Sequence, residues 1–367
     1  MQTSEAKRIW CAVSGHGFGH LSQITPVLCR LASRMDPLAI HIAGKLPEAV
    51  IADKLGLPFS LDPHNRDIGI LQSDPITEDL PATREALAAL HHDWDGALAK
   101  EMAAMSAWKP DLVLADVPYL PIAAASRLGI PVLALSSLSW DAVTTPYFPD
   151  DRDVAFWATQ MRDAYAMADL VLMPEPAMLP GPFKRREVLP PIVEPGCCDK
   201  AHLRRALGID RQDDRPLVFV SLGGFPLREV PDAAWARQSD IIWLVNHAQI
   251  VEQENIRATR RLVDWAFRDI SASVDVVVGK PGYNTAVESV AHQVPFLFAR
   301  RGVFPDEPPI CDWLARHSNA LELPKDRFWQ GDWSEGVRRL LAQGFPPKPP
   351  LDGAELAAGI VAEWLLR

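Results

Sequence analysis

The turn Ser14-Gly15-His16-Gly17-Phe18-Gly19-His20 joins a short apolar run, Ile9 to Val13, to a helical pattern. In an open α/β sheet such a turn borders the ligand crevice, and residues like Gly17 and Gly19 let backbone amides come close to a ligand. A dinucleotide fingerprint would place a third glycine where His20 stands and an acid at the end of the second strand, which instead runs out as His41-Ile42-Ala43-Gly44. Nicotinamide and flavin binding fail on both counts. His20 suits general-base chemistry, because a neutral imidazole accepts a proton near neutral pH; the competing reading is a histidine that caps the helix or bonds the backbone. Asp116 closes the run Leu112 to Ala115 and would meet the same crevice from another strand end. A carboxylate on the far ring nitrogen would fix the imidazole tautomer and stabilise the imidazolium. Asp116 is also placed to cap the helix starting near Tyr119.

A second constellation lies in Val278-Gly279-Lys280-Pro281-Gly282-Tyr283-Asn284-Thr285, which leaves a buried run and opens a helix. The free amides and positive dipole end of a helix start suit a diphosphate. Thr285 and Glu288 share one face, which sets a carboxylate one turn behind that phosphate site, although a solvated helix glutamate has the same spacing. Ser221-Leu222-Gly223-Gly224 is another turn where backbone can meet phosphate, but as a bare motif it is only a turn. Arg300 and Arg301 follow the run Pro295 to Ala299, and guanidinium forks suit the oxygens of a departing diphosphate; arginines at a strand end are equally suited to plain solvation.

The elements needed to position these groups can be read from apolar periodicity. Ile9 to Val13, Ala39 to Ala43, Leu112 to Ala115, Val132 to Leu135 and Leu170 to Met173 read as buried parallel strands. After the first of them Leu21, Ile24, Val27, Leu28 and Leu31 form one helical face, and Pro26 fits only if that helix begins a few residues earlier, where amides have no partner anyway. The stretch Pro174 to Pro195 holds seven prolines and reads as a linker without helix or strand. A second alternating series follows, with strands at Leu217 to Ser221, Ile241 to Val245, Val274 to Val278 and Pro295 to Ala299. Strand and helix alternating on both sides of a linker predict an α/β fold of two Rossmann-like domains, spanning 1–190 and 191–351. The last segment, 352–367, puts Leu356, Ile360, Val361, Trp364 and Leu365 on one helical face and should pack back on the domain body.

Bulk properties narrow the class further. The chain has 367 residues and a net charge of −10 from 37 basic and 47 acidic side chains, which opposes binding to a polyphosphate backbone. Nucleic acid is thus not expected as a partner. Cys11, Cys29, Cys197, Cys198 and Cys311 lack the spacing of a zinc site and read as reduced thiols. The polar start MQTSEAKRIW lacks a secretory core, and no run of eighteen apolar residues occurs, so a cytoplasmic protein without a transmembrane segment is expected. Peripheral membrane contact stays compatible with this reading.

The turn SGHGFGH, the strand end DLVLADVPYL, the loop VSLGG and the block VVVGKPGYNTAVESVAHQVPFLFARR together resemble GT-B glycosyltransferases over nearly the whole chain. The likeness is to lipid II N-acetylglucosaminyltransferases and UDP-dependent glycosyltransferases, and most of all to the glycosyltransferase-like amino-terminal module of L-arabinokinases. What the resemblance implies is a cleft between two Rossmann-like domains, with a nucleoside-diphosphate sugar, most simply a UDP sugar, bound on the second. It implies that His20 activates the acceptor with Asp116 as its partner, and that Glu288 grips the ribose hydroxyls. It also places Asp306 and Glu307 near the donor-sugar hydroxyls, where many relatives carry an Asp-Gln pair, and lays Trp265 or Phe267 against the nucleobase; for both aromatics core packing is an equal alternative.

The resulting expectation is sugar transfer to an acceptor hydroxyl, small or lipid-linked, with inversion. No metal or other cofactor is required, since the helix dipole and Lys280 can carry the charge that Mg²⁺ carries elsewhere. Two rivals share the fold: a nucleotide-sugar 2-epimerase and a non-catalytic nucleotide-sugar-binding or sensor module.

Overall fold

The computed structural model describes residues 6–74, 76–178, 181–222 and 230–367. Its first half is built from β1 (Lys7–Val13), α1 (Gly19–Arg34), β2 (Leu38–Ala43), α2 (Glu48–Leu55) and β3 (Ser60–Asp62), followed by a small hairpin of β4 (Gln72–Asp74) and β5 (Thr77–Glu78). Then come α3 (Leu80–His92), α4 (Trp94–Trp108), β6 (Leu112–Asp116), α5 (Tyr119–Leu128), β7 (Val132–Leu135), α6 (Trp140–Thr144), α7 (Arg152–Tyr165), β8 (Leu170–Pro174) and β9 (Arg186–Leu189). The second half contains α8 (Lys200–Ala206), β10 (Leu217–Ser221), α9 (Asp232–Arg237), β11 (Ile242–Val245), β12 (Ile256–Ala258), α10 (Phe267–Ala272), β13 (Val276–Gly279) and α11 (Tyr283–His292). It ends with β14 (Phe296–Phe298), α12 (Glu307–His317), β15 (Ala320–Glu322), α13 (Lys325–Gln330), α14 (Ser334–Leu341) and α15 (Gly353–Leu365).

Each half forms one parallel sheet. The first runs β3-β2-β1-β6-β7-β8-β9 and the second β12-β11-β10-β13-β14-β15. Strand order reverses between β1 and β6 in one sheet and between β10 and β13 in the other, and each reversal opens a crevice at the carboxyl ends of the strands. The central strands β6 and β10 are apolar up to their last residues, Asp116 and Ser221, and buried along their length, as parallel sheets with both faces covered require. The predicted face of α1 is confirmed, with Leu21, Ile24, Val27, Leu28 and Leu31 all buried.

Two expectations need correction. Pro26 lies in the second turn of α1, since the helix already starts at Gly19; the helix forgoes one backbone hydrogen bond there while its apolar face stays packed. The proline-rich stretch is not wholly irregular either. Its Arg186–Leu189 pairs in parallel with β8 as the edge strand of the first sheet, a place where three exposed residues out of four cost nothing.

The carboxyl-terminal helix α15 closes the fold on the first half. Ala354, Ala357, Ala358, Val361 and Leu365 join the core formed by α1, β1 and β2, so a chain that has crossed to the second domain returns to the first. No helix among the described residues is long and apolar enough to cross a membrane.

The two domains also exchange side chains. Ile76, in the turn of the β4–β5 hairpin, is fully buried in the core of the second domain with Val220, Leu222, Val278 and Ala299. In return Phe304 from the second domain joins the core of the first and meets Tyr147 edge-on, ring centroids 6.3 Å apart. Lys325 Nζ donates to the Ile76 carbonyl at 2.9 Å, and Gly302 N donates to Glu78 Oε1 at 3.3 Å.

Candidate active site

The first crevice is lined by the turn after β1. Gly17 takes φ of 81°, a left-handed conformation that glycine adopts without steric cost, and this bends the chain so that α1 starts at Gly19 with His20 in its first turn. Val13 and Asp116 are register partners on β1 and β6, so both chains leave the sheet side by side. His20 Nδ1 and Asp116 Oδ1 are 2.9 Å apart, with His20 buried and Asp116 fully so. Asp116 therefore bonds the histidine and caps no helix; α5 starts after Pro118 without a side-chain cap.

The residue after Asp116 is strained. Val117 holds φ of 77°, which a β-branched residue adopts only when its surroundings impose it. Tyr165 supplies part of that constraint by donating its hydroxyl to the Val117 carbonyl at 2.7 Å. The strain fixes where the chain leaves β6 and thus where the Asp116 carboxylate points.

Around this pair are groups that sequence reading did not single out. Asp67 is buried and accepts a 2.7 Å hydrogen bond from Trp140 Nε1, and the Trp140 ring lies edge-on to both His16 and His20, centroids 5.1 and 6.3 Å away. Burial works against a charged His20, but the Asp116 carboxylate, with Asp67 and Asp306 adding to it, outweighs that and holds the His20 pKa above its usual value. His16 goes the other way: burial, with His20, Lys280 and Arg301 nearby, drives its pKa down to about 3, so it is a neutral imidazole at any working pH. No local pattern could have found Asp67, which sits in a loop between β3 and β4 and meets the site only through folding.

The second crevice faces the first. Ser221 and Gly279 are register partners at the ends of β10 and β13, and these strands come so close that a Cβ on Gly279 would sit 2.3 Å from the Ser221 carbonyl oxygen. Gly279→Ala is therefore expected to push the two strands apart and lower stability by about 2 kcal/mol, read as a drop in the thermal midpoint; an unchanged midpoint would show that the strands yield without cost. Beyond Gly279 the chain reaches Gly282, the cap of α11, whose first-turn amides have no partner within the helix and no side-chain cap. Asn284 Nδ2 then reaches across the cleft and donates to the Gly19 carbonyl at 3.0 Å. The helix start of one domain and the histidine turn of the other thus confront each other.

Lys280 lies beside this cleft, donates to Gln72 Oε1 at 3.2 Å, and has its pKa pushed down to about 7 by burial and by Arg301. Glu288 is half-buried one turn after Thr285, and burial raises its carboxyl to about 7. Phe267 is exposed at the start of α10 with its ring 5.1 Å from Phe219, whereas Trp265 packs at the core edge beside His202. Ser221 is buried at its strand end, and Gly223 and Gly224 lie outside the described residues.

For three residues the structure departs from the sequence reading. The Tyr283 ring is in the domain core and its hydroxyl accepts from Ile192 N at 3.0 Å, so only its backbone belongs to the helix start. Arg301 is not free to meet a diphosphate here. Its Nε donates to Glu307 Oε1 at 2.6 Å, its Nη2 donates to Asp306 Oδ1 at 3.1 Å, and its guanidinium stacks on Phe304. Glu307 is consequently 1% exposed and out of a sugar's reach, while Asp306 keeps partial exposure. The physical reason is charge neutralisation: a buried guanidinium takes the nearest carboxylates as partners. Arg300 is exposed and pairs with Glu322.

Two facing parallel sheets, each with its crevice turned to the other, define the GT-B fold, and the chain has it. It superimposes over 98% of its length on a glycotransferase of kitacinnamycin (TM-score 0.63, 18% identity, all of that chain covered). It matches a UDP-glucosyltransferase from Polygonum tinctorium over its whole length (TM-score 0.63, 14% identity, all of that chain). A ugt transferase from Siraitia grosvenorii, solved in complex with UDP, aligns over 98% (TM-score 0.58, 12% identity, all of that chain). In sequence the chain is similar to the L-arabinokinase of Arabidopsis thaliana, 26% identical over 96% of this chain and 34% of that protein. The chain thus spans about a third of that relative's length. No family model matches the sequence.

Proposed function

We propose that this protein transfers a sugar from a nucleoside-diphosphate sugar to an acceptor hydroxyl, with His20 as the base. The observation carrying the reading is the hydrogen-bonded His20–Asp116 pair facing the amino terminus of α11, with Asn284 spanning the gap to the histidine turn. In this scheme the acceptor hydroxyl gives its proton to His20 as its oxygen attacks the anomeric carbon from the face opposite the diphosphate, which inverts that centre. Asp116 stabilises the imidazolium that forms. The α11 amides and Lys280 receive the charge developing on the leaving diphosphate. Burial and Arg301 hold the Lys280 pKa down to about 7, and a diphosphate beside it would favour its protonated form. Glu288 would take the ribose, the donor most simply a UDP sugar, and the site would work in the cytoplasm without metal or other cofactor.

The titration of His20 gives this scheme a signature. A base must be neutral to work, and the His20 pKa lies above its ordinary 6.5, so kcat/KM should rise with pH along a limb centred above 6.5. Asp116→Asn removes the main attraction holding the proton, leaves burial in charge, and should move that limb to lower pH while reducing the plateau. A limb that stays in place would remove the pair from the mechanism.

The decisive experiment is calorimetric titration with UDP, GDP, dTDP and ADP sugars, followed by product analysis with and without acceptor alcohols. Turnover that needs acceptor supports transfer. Turnover of donor alone to an epimer would instead select the 2-epimerase, and tight binding without any turnover the sensor module.

A further inference from the structure

We propose that Gln72, from the β4–β5 hairpin of the first domain, is a donor-binding residue whose side-chain amide nitrogen contacts an oxygen of the glycosyl diphosphate held by the second domain. The inference rests on the proposed sugar-transfer reading and extends its donor site to a residue of the opposite domain. Three observations carry it. Gln72 Oε1 accepts from Lys280 Nζ at 3.2 Å, which fixes the amide orientation and brings Gln72 beside the residue that leads into α11. With the oxygen committed there, Nε2 points elsewhere; it is enclosed and has no hydrogen-bond partner among the described residues. An enclosed amide donor without a partner costs roughly 1–3 kcal/mol, which a ligand oxygen would recover.

The third observation is that the hairpin is held in place. Ile76 is sealed in the second domain's core, Lys325 grips its carbonyl, and Glu78 accepts from Gly302 N and, at 2.8 Å, from the Tyr147 hydroxyl. Gln72 and Glu78 are register partners across the hairpin, so these anchors locate Gln72 as well. A hairpin held by those contacts presents Gln72 from a fixed backbone, and the Lys280 hydrogen bond orients its amide, so less freedom is lost on binding a ligand. The ligand oxygen belongs either to the diphosphate or to a sugar hydroxyl, since both lie within the class of group that an amide N–H and an ammonium recognise together.

The test is Gln72→Met, close in volume but without the amide, titrated by calorimetry with UDP and with UDP-glucose, and with the sugar of whichever nucleotide the wild type prefers. A roughly fivefold to tenfold weaker affinity for both ligands supports a diphosphate contact. The same loss for the nucleotide sugar alone supports a sugar-hydroxyl contact. Affinities equal to wild type overturn the proposal while leaving sugar transfer intact, whereas a wild-type protein that binds no nucleotide sugar of the panel sinks the underlying reading and this one with it. Thermal unfolding of Gln72→Met distinguishes a lost ligand contact, with the midpoint within a few degrees of wild type, from a loosened hairpin, with the midpoint clearly lowered; the latter also overturns a direct contact.

Discussion

His20→Ala is expected to lower turnover by about 10²- to 10⁴-fold, the usual contribution of a positioned general base, while nucleotide-sugar affinity changes by no more than a few-fold. The asymmetry follows from where His20 stands. It belongs to the first domain, its ring is tied to Asp116, and the groups proposed to hold a nucleotide sit at the start of α11. Removing the imidazole should leave that helix start in place and abolish only proton removal from the acceptor. Single-turnover kinetics on the variant, alongside calorimetry, separate the two quantities. Turnover within threefold of wild type would mean that some other group takes the proton, and a large loss of donor affinity would mean that His20 binds the donor. A further check is available in the double variant His20→Ala/Asp116→Asn, which should be no slower than His20→Ala alone, because Asp116 acts through a ring that is no longer there.

The second large effect is structural and concerns Ile76. Ile76→Asp would set a carboxylate amid Val220, Leu222, Val278 and Ala299, at a fully buried position where the Lys325 ammonium is already engaged by the backbone carbonyl of residue 76. Losing the buried side chain alone is worth about 2–5 kcal/mol, and an unpaired charge adds to that. The hairpin has an easier course than unfolding the second domain: it can withdraw, taking Gln72 and Glu78 with it. The expected result is a protein whose two domains still fold but no longer melt together, seen in calorimetry as two transitions in place of one, with a larger radius of gyration in solution scattering. A single transition at the wild-type midpoint would show that the hairpin does not couple the domains.

Much of the architecture was open to reading from local pattern. Central parallel strands must be apolar on both faces, so β1, β6, β7, β8 and β10 stand out as unbroken apolar runs, and the period of α1 marked its buried side. The strands of the two parallel sheets that escaped notice, β3, β9, β12 and β15, are three or four residues long and lie at sheet edges, where composition is less constrained, and the hairpin strands β4 and β5 are shorter than any period can mark. The same contrast holds in the site. His20 and Asp116 are visible because each follows a strand at a place where a crevice must open, and the helix start at Gly282 is visible because a glycine-rich turn leads into a helical period.

What the chain determined by itself is therefore the pair of sheets, their crevices and the polar residues at the strand ends, because these depend on burial and turn chemistry within a few residues. Beyond the His20–Asp116 pair, tertiary structure decided which polar groups pair. It turned Arg301 inward to Asp306 and Glu307, brought Asp67 and Trp140 up to His20, set Asn284 on the Gly19 carbonyl, and drove Ile76 into the opposite core. Apart from the Arg301 pairs, which are five and six residues apart, these contacts join residues far apart in sequence, and a buried charge or amide accepts whichever partner packing brings within about 3 Å, a choice that spacing along the chain does not encode.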